Sequence, residues 1–268
     1  MCQKIDFFIA GVQKAGTTAL FNILSRSDRM SVPNRKELHF FDVEKIDWDH
    51  PDYTPLNRAF SPRHDGALRF EATPIYTFWP SAMQRIRRYN PAAKIIILFR
   101  HPAFRAFSQW AMEKTRGSET LTFAEAMSET GRRRARPFAD PSFRERSYFQ
   151  RGHYADQVRE VFKAFPKEQV LCLRTDQLWA NPGLTLRRVE EFLNVSGLSA
   201  LESGYVTPYK KQDFGTIDRQ LKERLTEEYR AQIVALTDLT GLEFNDWLDP
   251  AYYEPMPSIA SLHQGGIS

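Results

Sequence analysis

The stretch IDFFIAGVQKAGTTAL, residues 5–20, predicts a buried β-strand, a glycine-containing loop and the start of an α-helix. Residues 5–10 are almost all apolar, as expected of a strand covered on both faces of a sheet. The loop would direct backbone N–H groups at an anion, and the helix N-terminus adds a partial positive charge. Lys14 supplies a full charge, and Thr17 and Thr18 supply hydroxyl groups in the first helical turn. The stretch therefore predicts a phosphate-binding loop.

The spacing of this loop differs from that of the P-loop of nucleoside triphosphatases, in which Gly, four residues and Gly precede Lys and Ser or Thr. Gly11 and Gly16 are correctly spaced, but Thr17 occupies the lysine position. Lys14 instead precedes Gly16 by two residues. This displacement argues against a magnesium-dependent enzyme whose lysine reaches the β- and γ-phosphates. A P-loop kinase or NTPase is the first alternative function, and a strand–turn–helix unit with an exposed lysine is the structural alternative.

The rest of the chain alternates strand-like and helix-like segments, which predicts an α/β fold with a parallel sheet flanked by helices. Residues 94–99, KIIILF, form the strongest strand pattern, and Pro102 suits the first turn of a helix that continues to about residue 114. Strands are also predicted at 68–72 and 170–174, and helices at 17–24, 81–89, 182–193 and around 221–236. Residues 44–67 and 131–146 look irregular. We expect a single P-loop-like domain over residues 1–268.

Length and composition exclude several functional classes. The chain has 268 residues, of which 42% are hydrophobic and 26% charged, as in a globular protein. No apolar run approaches the roughly 20 residues of a membrane span. The net charge of +4 permits an anionic ligand but does not indicate a nucleic-acid partner. Two cysteines and the absence of a signal-peptide pattern predict a reducing, cytoplasmic location, and no metal site is expected.

The loop and a second segment resemble one known family. GVQKAGTTAL, residues 11–20, resembles the 5′-phosphosulfate-binding loop of the sulfotransferases that use 3′-phosphoadenosine 5′-phosphosulfate (PAPS). KIIILFRHPAFRAFSQW, residues 94–110, is similar to that family's 3′-phosphate-binding segment, which Arg100, Pro102 and Ser108 match. A guanidinium at the carboxyl end of a strand can bind phosphate through two N–H groups, whereas a surface salt bridge is the structural alternative. The resemblance covers residues 5–248 and implies a sulfotransferase fold.

A third segment, RKELHFFD at residues 35–42, resembles Lys-Glu-x-His-Phe-Phe-Asp of the heparan-sulfate-type branch of that family. The glutamate is the proposed general base there, so the resemblance implies that Glu37 deprotonates the acceptor. His39 and Asp42 would then line the acceptor side, and Lys36 could hold Glu37 ionised. His39 is the alternative base, because histidine has that role in the cytosolic small-molecule branch. A helix-start glutamate beside packed aromatic residues is the structural alternative.

Two further features complete the resemblance. EATPIY, residues 71–76, is similar to Glu-Lys-x-Pro-x-Tyr, with Ala72 where many relatives carry a lysine near the reacting centre. An arginine of the 131–146 segment is one candidate for replacing that charge. The segment is interpreted either as a solvated loop or as an acceptor-side lid. Lys210 and Lys211 lie where relatives close a basic loop over the nucleotide, and two solvated lysines are the alternative.

The resemblance implies metal-free, in-line transfer of a sulfuryl group from PAPS to a hydroxyl or amine, which leaves 3′-phosphoadenosine 5′-phosphate (PAP). The acceptor would be a glycan or a small molecule such as a natural product. A non-enzymatic module that binds a nucleotide or polyanion through the arginine-rich segment is the second alternative function. The implied nucleotide-binding residues are Gln13, Lys14, Ala15, Gly16, Thr17, Thr18, Arg100, Ser108, Lys210 and Lys211.

Overall fold

The computed structural model describes residues 3–61, 66–136, 140–201 and 214–255 of the chain. These residues belong to two compact units. The first unit comprises Met1–Phe99, Glu160–Thr207 and Glu254–Ser268, and it contains the β-sheet. The second unit comprises Arg100–Arg159 and Pro208–Tyr253 and is helical. The single domain expected over residues 1–268 stays a prediction.

The sheet has five parallel strands within the described ranges, in the order β2-β3-β1-β4-β5. The parallel α/β fold predicted from the alternation of segments is thereby confirmed. The predicted bounds of β4 and β5 are also confirmed, whereas β1 begins two residues later than predicted, β3 ends one residue earlier and β2 was not predicted. The strands are β1 (Phe7–Gly11), β2 (Met30–Ser31), β3 (Leu68–Glu71), β4 (Lys94–Phe99) and β5 (Val170–Arg174).

Helices follow the strands much as the sequence predicts, and the helices predicted at 17–24 and 182–193 have the predicted bounds. The stretches interpreted as irregular contain short helices, and the helix at Tyr154–Ala164 was not predicted. The helices are α1 (Thr17–Leu24), α2 (Thr54–Arg58), α3 (Ala82–Tyr89), α4 (Pro102–Thr115), α5 (Phe123–Ala126), α6 (Glu129–Arg132), α7 (Pro141–Arg146), α8 (Tyr154–Ala164), α9 (Thr175–Ala180), α10 (Pro182–Leu193) and α11 (Arg219–Thr240). Short 3-10 helices lie at Gln150–Gly152, Lys167–Gln169 and Asn245–Leu248.

Local signals explain where the helices that flank the strands begin. Pro102 and Pro182 occupy the first turns of α4 and α10, where a missing N–H costs nothing. The Asn181 side chain caps α10 by accepting a hydrogen bond from the Leu184 N–H, 3.2 Å away. Asn194 ends that helix in the left-handed conformation, with φ of 57°.

Apolar packing fixes the centre of the first unit. All residues of β1 are buried, as are Ile95 to Phe99 of β4, which is typical of parallel strands covered on both faces. The rings of Phe7 and Phe70 stack between β1 and β3 with centroids 4.8 Å apart. Phe41 is fully buried against Phe8 of β1, and it anchors the segment that carries the candidate base.

The second unit has a core around α4 and α11. Arg105 is fully buried there, and its guanidinium donates to the Gln109 side chain, 2.8 Å away, and to the Tyr148 carbonyl. Two arginines of the 131–146 segment pair with carboxylates outside it, since Arg134 contacts the buried Glu119 at 2.8 Å and Arg132 pairs with Glu228.

The described residues form neither a membrane-spanning helix nor a cluster of metal ligands. None of their helices combines the length and the apolar character that crossing a membrane requires. No three His, Cys, Asp or Glu side chains in these ranges are placed to share a metal ion.

Candidate active site

The predicted phosphate-binding loop lies between β1 and α1 at the carboxyl end of the central strand. Lys14 and Gly16 both adopt the left-handed conformation, with φ of 70° and 79°, which turns the chain sharply into the helix. The Lys14 side chain is half-buried, Thr17 is buried and Thr18 is exposed. Because the first N–H groups of any helix have no acceptor within that helix, this end of α1 can hold an anion.

Two threonines from outside the loop hold it in place. Thr175, at the start of α9, donates a hydrogen bond from its hydroxyl to the Ala15 carbonyl over 2.7 Å. On the other side, Gly11 packs so closely on Thr77 that a Cβ there would lie 2.5 Å from the Thr77 Oγ1. The Thr77 N–H also donates to the carbonyl of Ala10, 3.1 Å away. Gly11 is therefore required for close packing, and the loop has little freedom to shift.

The other predicted nucleotide-binding residues lie in the second unit or outside the described ranges. Arg100 directly follows β4 in the chain, is half-buried, and its carbonyl accepts a hydrogen bond from the Tyr154 hydroxyl, 2.9 Å away. Ser108 is a half-buried residue of α4. Lys210 and Lys211 lie outside the described residues. The binding roles of these residues and of Gln13–Thr18 stay predictions.

The segment predicted to carry the base forms a chain of charged side chains. Glu37 lies between Lys36, whose Nζ is 2.8 Å from Oε1, and His39, whose Nε2 is 3.3 Å from Oε2. The other ring nitrogen of His39 lies 2.8 Å from Oδ2 of Asp42. Asp42 is fully buried, whereas the Glu37 side chain is 35% exposed. The structure therefore brings all four predicted residues together and leaves the carboxylate of Glu37 accessible from outside.

These contacts determine the charge states of the segment. Burial alone would raise the pKa of Glu37, but hydrogen bonds and charge from His39 and Lys36 outweigh it and lower the pKa to about 2. Burial likewise opposes protonation of His39, but the hydrogen bonds to Asp42 and Glu37 raise its pKa to about 9. At neutral pH Glu37 is a carboxylate and His39 an imidazolium, so both ring nitrogens of His39 donate.

Backbone contacts hold this segment in an unusual conformation. Glu37 and His39 both have positive φ, at 62° and 52°, which is uncommon for residues other than glycine. Glu71 Oε1, at the end of β3, accepts hydrogen bonds from the Leu38 N–H, 3.0 Å away, and from the Thr73 hydroxyl. Thr73 Oγ1 in turn lies 3.3 Å from the His39 N–H. The carboxyl group of one strand end thus fixes the loop that carries the candidate base.

The segment that follows β3 also supports the loop that carries Glu37. The Tyr76 hydroxyl accepts a hydrogen bond from the Phe40 N–H, 3.1 Å away. Glu71 is completely buried, which raises its pKa to about 7, and its second oxygen has no hydrogen-bond partner among the described residues. Ala72 is also completely buried.

The structure gives supporting roles to four residues for which none was predicted, Glu71, Thr73, Tyr76 and Thr175. Polar residues at the carboxyl ends of β3 and β5 were the available signal, because open α/β sheets bind ligands at those ends. That rule identifies Glu71 and Thr175 as candidates. It does not say which loop each side chain contacts.

Comparisons with known proteins identify the family. A family model described as "Sulfotransferase domain" matches residues 4–213. Human heparan sulfate glucosamine 3-O-sulfotransferase 3B1 is 28% identical over 258 residues, which cover 88% of this chain and 63% of that protein. The chain thus spans less than two thirds of the length of this curated relative.

Solved structures show the same fold. A crystal structure of a sulfotransferase from Alicyclobacillus acidocaldarius is 26% identical, with a TM-score of 0.74, and covers 91% of this chain and 99% of its own. Mouse sulfotransferase SULT7A1, whose structure is complexed with PAP, is 13% identical with a TM-score of 0.52, and that likeness concerns the fold alone. It covers 88% of this chain and 85% of the mouse chain. Because the family match extends over most of the chain and includes both candidate loops, this chain belongs to the sulfotransferase family.

Proposed function

We propose that this sulfotransferase moves a sulfuryl group from PAPS to a hydroxyl group of a carbohydrate, with Glu37 as general base. The observation that carries the proposal is the placement of Glu37, an accessible carboxylate whose two oxygens face Lys36 and His39. A base of this kind needs to reach the acceptor proton and needs no covalent role. A family match over residues 4–213 supports the reaction class.

The loop after β1 fits a bound phosphosulfate. Lys14 supplies positive charge, and the first turn of α1 supplies N–H donors and the hydroxyl of Thr18. PAPS, when bound, supplies a sulfuryl group attached to a 5′-phosphate leaving group. Lys14 and the N–H groups of Gly16–Thr18 would stabilise the charge that develops on that phosphate, as preorganised donors do in other group transfers. Arg100 and Ser108 are proposed to bind the 3′-phosphate.

On the acceptor side, Glu37 is proposed to take the proton from the acceptor hydroxyl. The acceptor oxygen forms a bond to sulfur, the bond from sulfur to the 5′-phosphate oxygen breaks, and the acceptor proton passes to the carboxylate. Each oxygen of Glu37 accepts one hydrogen bond, from Lys36 or from His39, and each has a second lone pair for the hydroxyl of an acceptor.

His39 is better suited to orienting Glu37 than to acting as base. Its raised pKa, about 9, leaves no free lone pair on the ring at neutral pH. Its second N–H donates to the buried Asp42, which fixes the plane of the ring. We therefore propose Glu37 as the base and His39 and Asp42 as residues that position it.

Carbohydrate is the favoured acceptor because the name of the human relative specifies a glucosamine 3-O-sulfotransferase. The lysine that many relatives carry at position 72 is replaced by a buried alanine. The cytoplasmic location predicted from the sequence stays part of this proposal.

Two measurements test the proposal. PAP should raise the melting temperature of the enzyme, since a ligand at 100 times its Kd stabilises by about 2.7 kcal/mol. Labelled sulfate should pass from PAPS to members of a panel of carbohydrate, amine and small alcohol acceptors. Stabilisation by ATP with magnesium, and none by PAP, would instead favour a P-loop kinase or NTPase.

Lys14→Ala gives the sharpest test of the donor site. We expect transfer to fall by about 100-fold or more, because a charge-stabilising donor is lost, while the chain remains folded. Lys45→Ala is the matched control, since Lys45 is an exposed lysine of the same unit. Turnover close to that of the wild type in Lys14→Ala would overturn the role assigned to Lys14.

A further inference from the structure

A buried tyrosine anchors the backbone of Arg100, the residue proposed to bind the 3′-phosphate. The pairing of β4 with β5 ends at Phe99 and Arg174, so the carbonyl of Arg100 lies beyond the last paired position. The hydroxyl of Tyr154, at the start of α8, donates to this carbonyl over 2.9 Å, and the Tyr154 side chain is buried. A side chain 54 positions away in the chain therefore fixes the backbone just after β4.

The residue that follows Arg100 is fixed as well. The ring of His101 is fully buried, and its Nδ1 accepts a hydrogen bond from the Ala103 N–H, 3.3 Å away, which caps α4. The other ring nitrogen lies 3.2 Å from the carbonyl of Trp247. Because Nδ1 is the acceptor of the cap, Nε2 carries the ring proton and donates to that carbonyl. Arg100 is thus held between two anchored groups, its own carbonyl and the ring of the next residue.

Arg105 orients the hydroxyl of Tyr154. Its fully buried guanidinium forms a hydrogen bond with the Tyr154 side chain, in addition to those with the Gln109 side chain and the Tyr148 carbonyl. Since a guanidinium can only donate, the Tyr154 oxygen accepts from Arg105, and the hydroxyl proton points to the Arg100 carbonyl. A positive charge within a buried hydrogen-bond network also strengthens the hydroxyl as a donor.

We propose that Tyr154 and Arg105 are positioning residues, which fix the backbone of Arg100 so that its guanidinium can bind the 3′-phosphate of the nucleotide. The two residues act through Arg100 and not by contact with the nucleotide. A preorganised backbone favours binding, because Arg100 then has little conformational freedom left to lose when the ligand arrives. This inference rests on the proposed function and adds to it the residues that prepare the 3′-phosphate site.

Tyr154→Phe removes the hydroxyl and keeps the ring. Calorimetric titration of PAP into the full-length enzyme should show about fivefold weaker binding, equivalent to about 1 kcal/mol, as expected for the loss of one hydrogen bond. The KM for PAPS should rise while kcat is unchanged. Stabilisation by adenosine 5′-phosphate, which lacks the 3′-phosphate, should equal that of the wild type.

Tyr229→Phe is the matched control for the loss of a buried hydroxyl. Tyr229 is also fully buried in the second unit, and its hydroxyl likewise donates to a backbone carbonyl over 2.9 Å, that of Phe149. The two variants therefore lose equivalent hydrogen bonds, but only one of these bonds reaches Arg100. Tyr229→Phe should bind PAP with the affinity of the wild type.

A double-mutant cycle shows whether the effect passes through Arg100. In the background of Arg100→Gln, which removes the guanidinium, Tyr154→Phe should weaken PAP binding no further, whereas independent contributions would add. Arg105→Lys is a second, independent variant, because lysine keeps the charge but loses the forked set of donors. It should weaken PAP binding in the wild type and have no effect in the Arg100→Gln background.

Four results would overturn the inference: wild-type PAP affinity in Tyr154→Phe or Arg105→Lys, an equal loss in Tyr229→Phe, additivity with Arg100→Gln, or equal weakening of PAP and adenosine 5′-phosphate. The last of these would indicate a general loss of structure. Failure of the proposed function is read separately, in the wild type, as absence of stabilisation by PAP, and that result would overturn both.

Discussion

The hydroxyl of Thr175 donates a hydrogen bond to the backbone carbonyl of Ala15 across 2.7 Å, so the first residue after β5 braces the loop after β1. Both ends of this contact are buried. A Cβ at the neighbouring Gly16 would lie only 3.2 Å from the Thr175 methyl group. The loop that carries Lys14 is therefore held by a residue 160 positions away in the chain.

Thr175→Val removes this hydrogen bond and keeps the shape of the side chain. We expect a loss of about 1 kcal/mol in the free energy of unfolding, because the Ala15 carbonyl loses a buried partner. We also expect weaker binding of PAP, measured by titration, with a smaller effect on kcat than on the KM for PAPS. Thr175→Ser restores the hydroxyl and should recover the affinity. Equal PAP affinity in wild type and Thr175→Val would show that the contact does not position the loop.

The elements around the Thr175–Ala15 hydrogen bond could be predicted from the sequence, whereas the hydrogen bond itself could not. The bounds of β4 were predictable because KIIILF is a short apolar, β-branched run between Pro91 and Pro102. The loop between β1 and α1 was predictable because strand, glycines and helix are contiguous in the sequence. The hydrogen bond from Thr175 to Ala15 was not, because nothing in a local pattern specifies which loop a side chain at a distant strand end will contact.

The segment that carries the candidate base was also predictable only in part. Its residues were named from the resemblance of RKELHFFD to one branch of the family, and the structure places them together. The positive φ angles of Glu37 and His39 could not be predicted, since residues other than glycine rarely adopt them. They depend on tertiary hydrogen bonds from the 71–76 segment, which offset the local strain.

Glu37→Gln tests the base directly. Glutamine keeps the shape of the side chain but cannot take up the acceptor proton, so kcat should fall roughly 100- to 10,000-fold. Stabilisation by PAP should persist, because Glu37 is assigned to the acceptor side. Glu168→Gln, at an exposed glutamate of the same unit, serves as the control and should behave as the wild type. A kcat within a few fold of the wild-type value would rule out Glu37 as the base.

The pKa of His39 predicts an alkaline limit to activity. Since its pKa is about 9, His39 loses its proton above that pH and can no longer donate to both Glu37 and Asp42. We expect kcat/KM to fall as pH rises through about 9 in the wild type. His39→Gln, which keeps a neutral N–H donor, should lower the plateau and remove this limb. An unchanged alkaline limb in the variant would assign the titration to another group.

The raised pKa of Glu71 predicts a pH dependence of the free energy of unfolding. Burial raises its pKa from 4.5 to about 7, so the folded state holds a proton that the unfolded state releases between these values. The resulting stabilisation is fully present below pH 4.5 and is lost as pH rises through about 7. The change amounts to roughly 3 kcal/mol at most, at 1.36 kcal/mol per pKa unit. Glu71→Gln should lack this pH dependence in urea unfolding, and identical profiles for both proteins would contradict the raised pKa.

Gly11 packs closely on Thr77 at the start of the loop between β1 and α1, so we expect the effects of substitutions at these two positions to be coupled. In Gly11→Ala, the new Cβ would lie 2.5 Å from Thr77 Oγ1 and 2.7 Å from its Cγ2, so one side chain has to move. We expect a loss of about 1–3 kcal/mol in the free energy of unfolding, as for other overpacked sites. Thr77→Ala removes both close atoms and leaves only the Thr77 Cβ, 3.1 Å from the new methyl group. The double variant should therefore lose less stability than the sum of the two single changes, measured by urea unfolding as a double-mutant cycle. Strict additivity would show that the loop relaxes away from Thr77, and that this packing does not hold Lys14 in place.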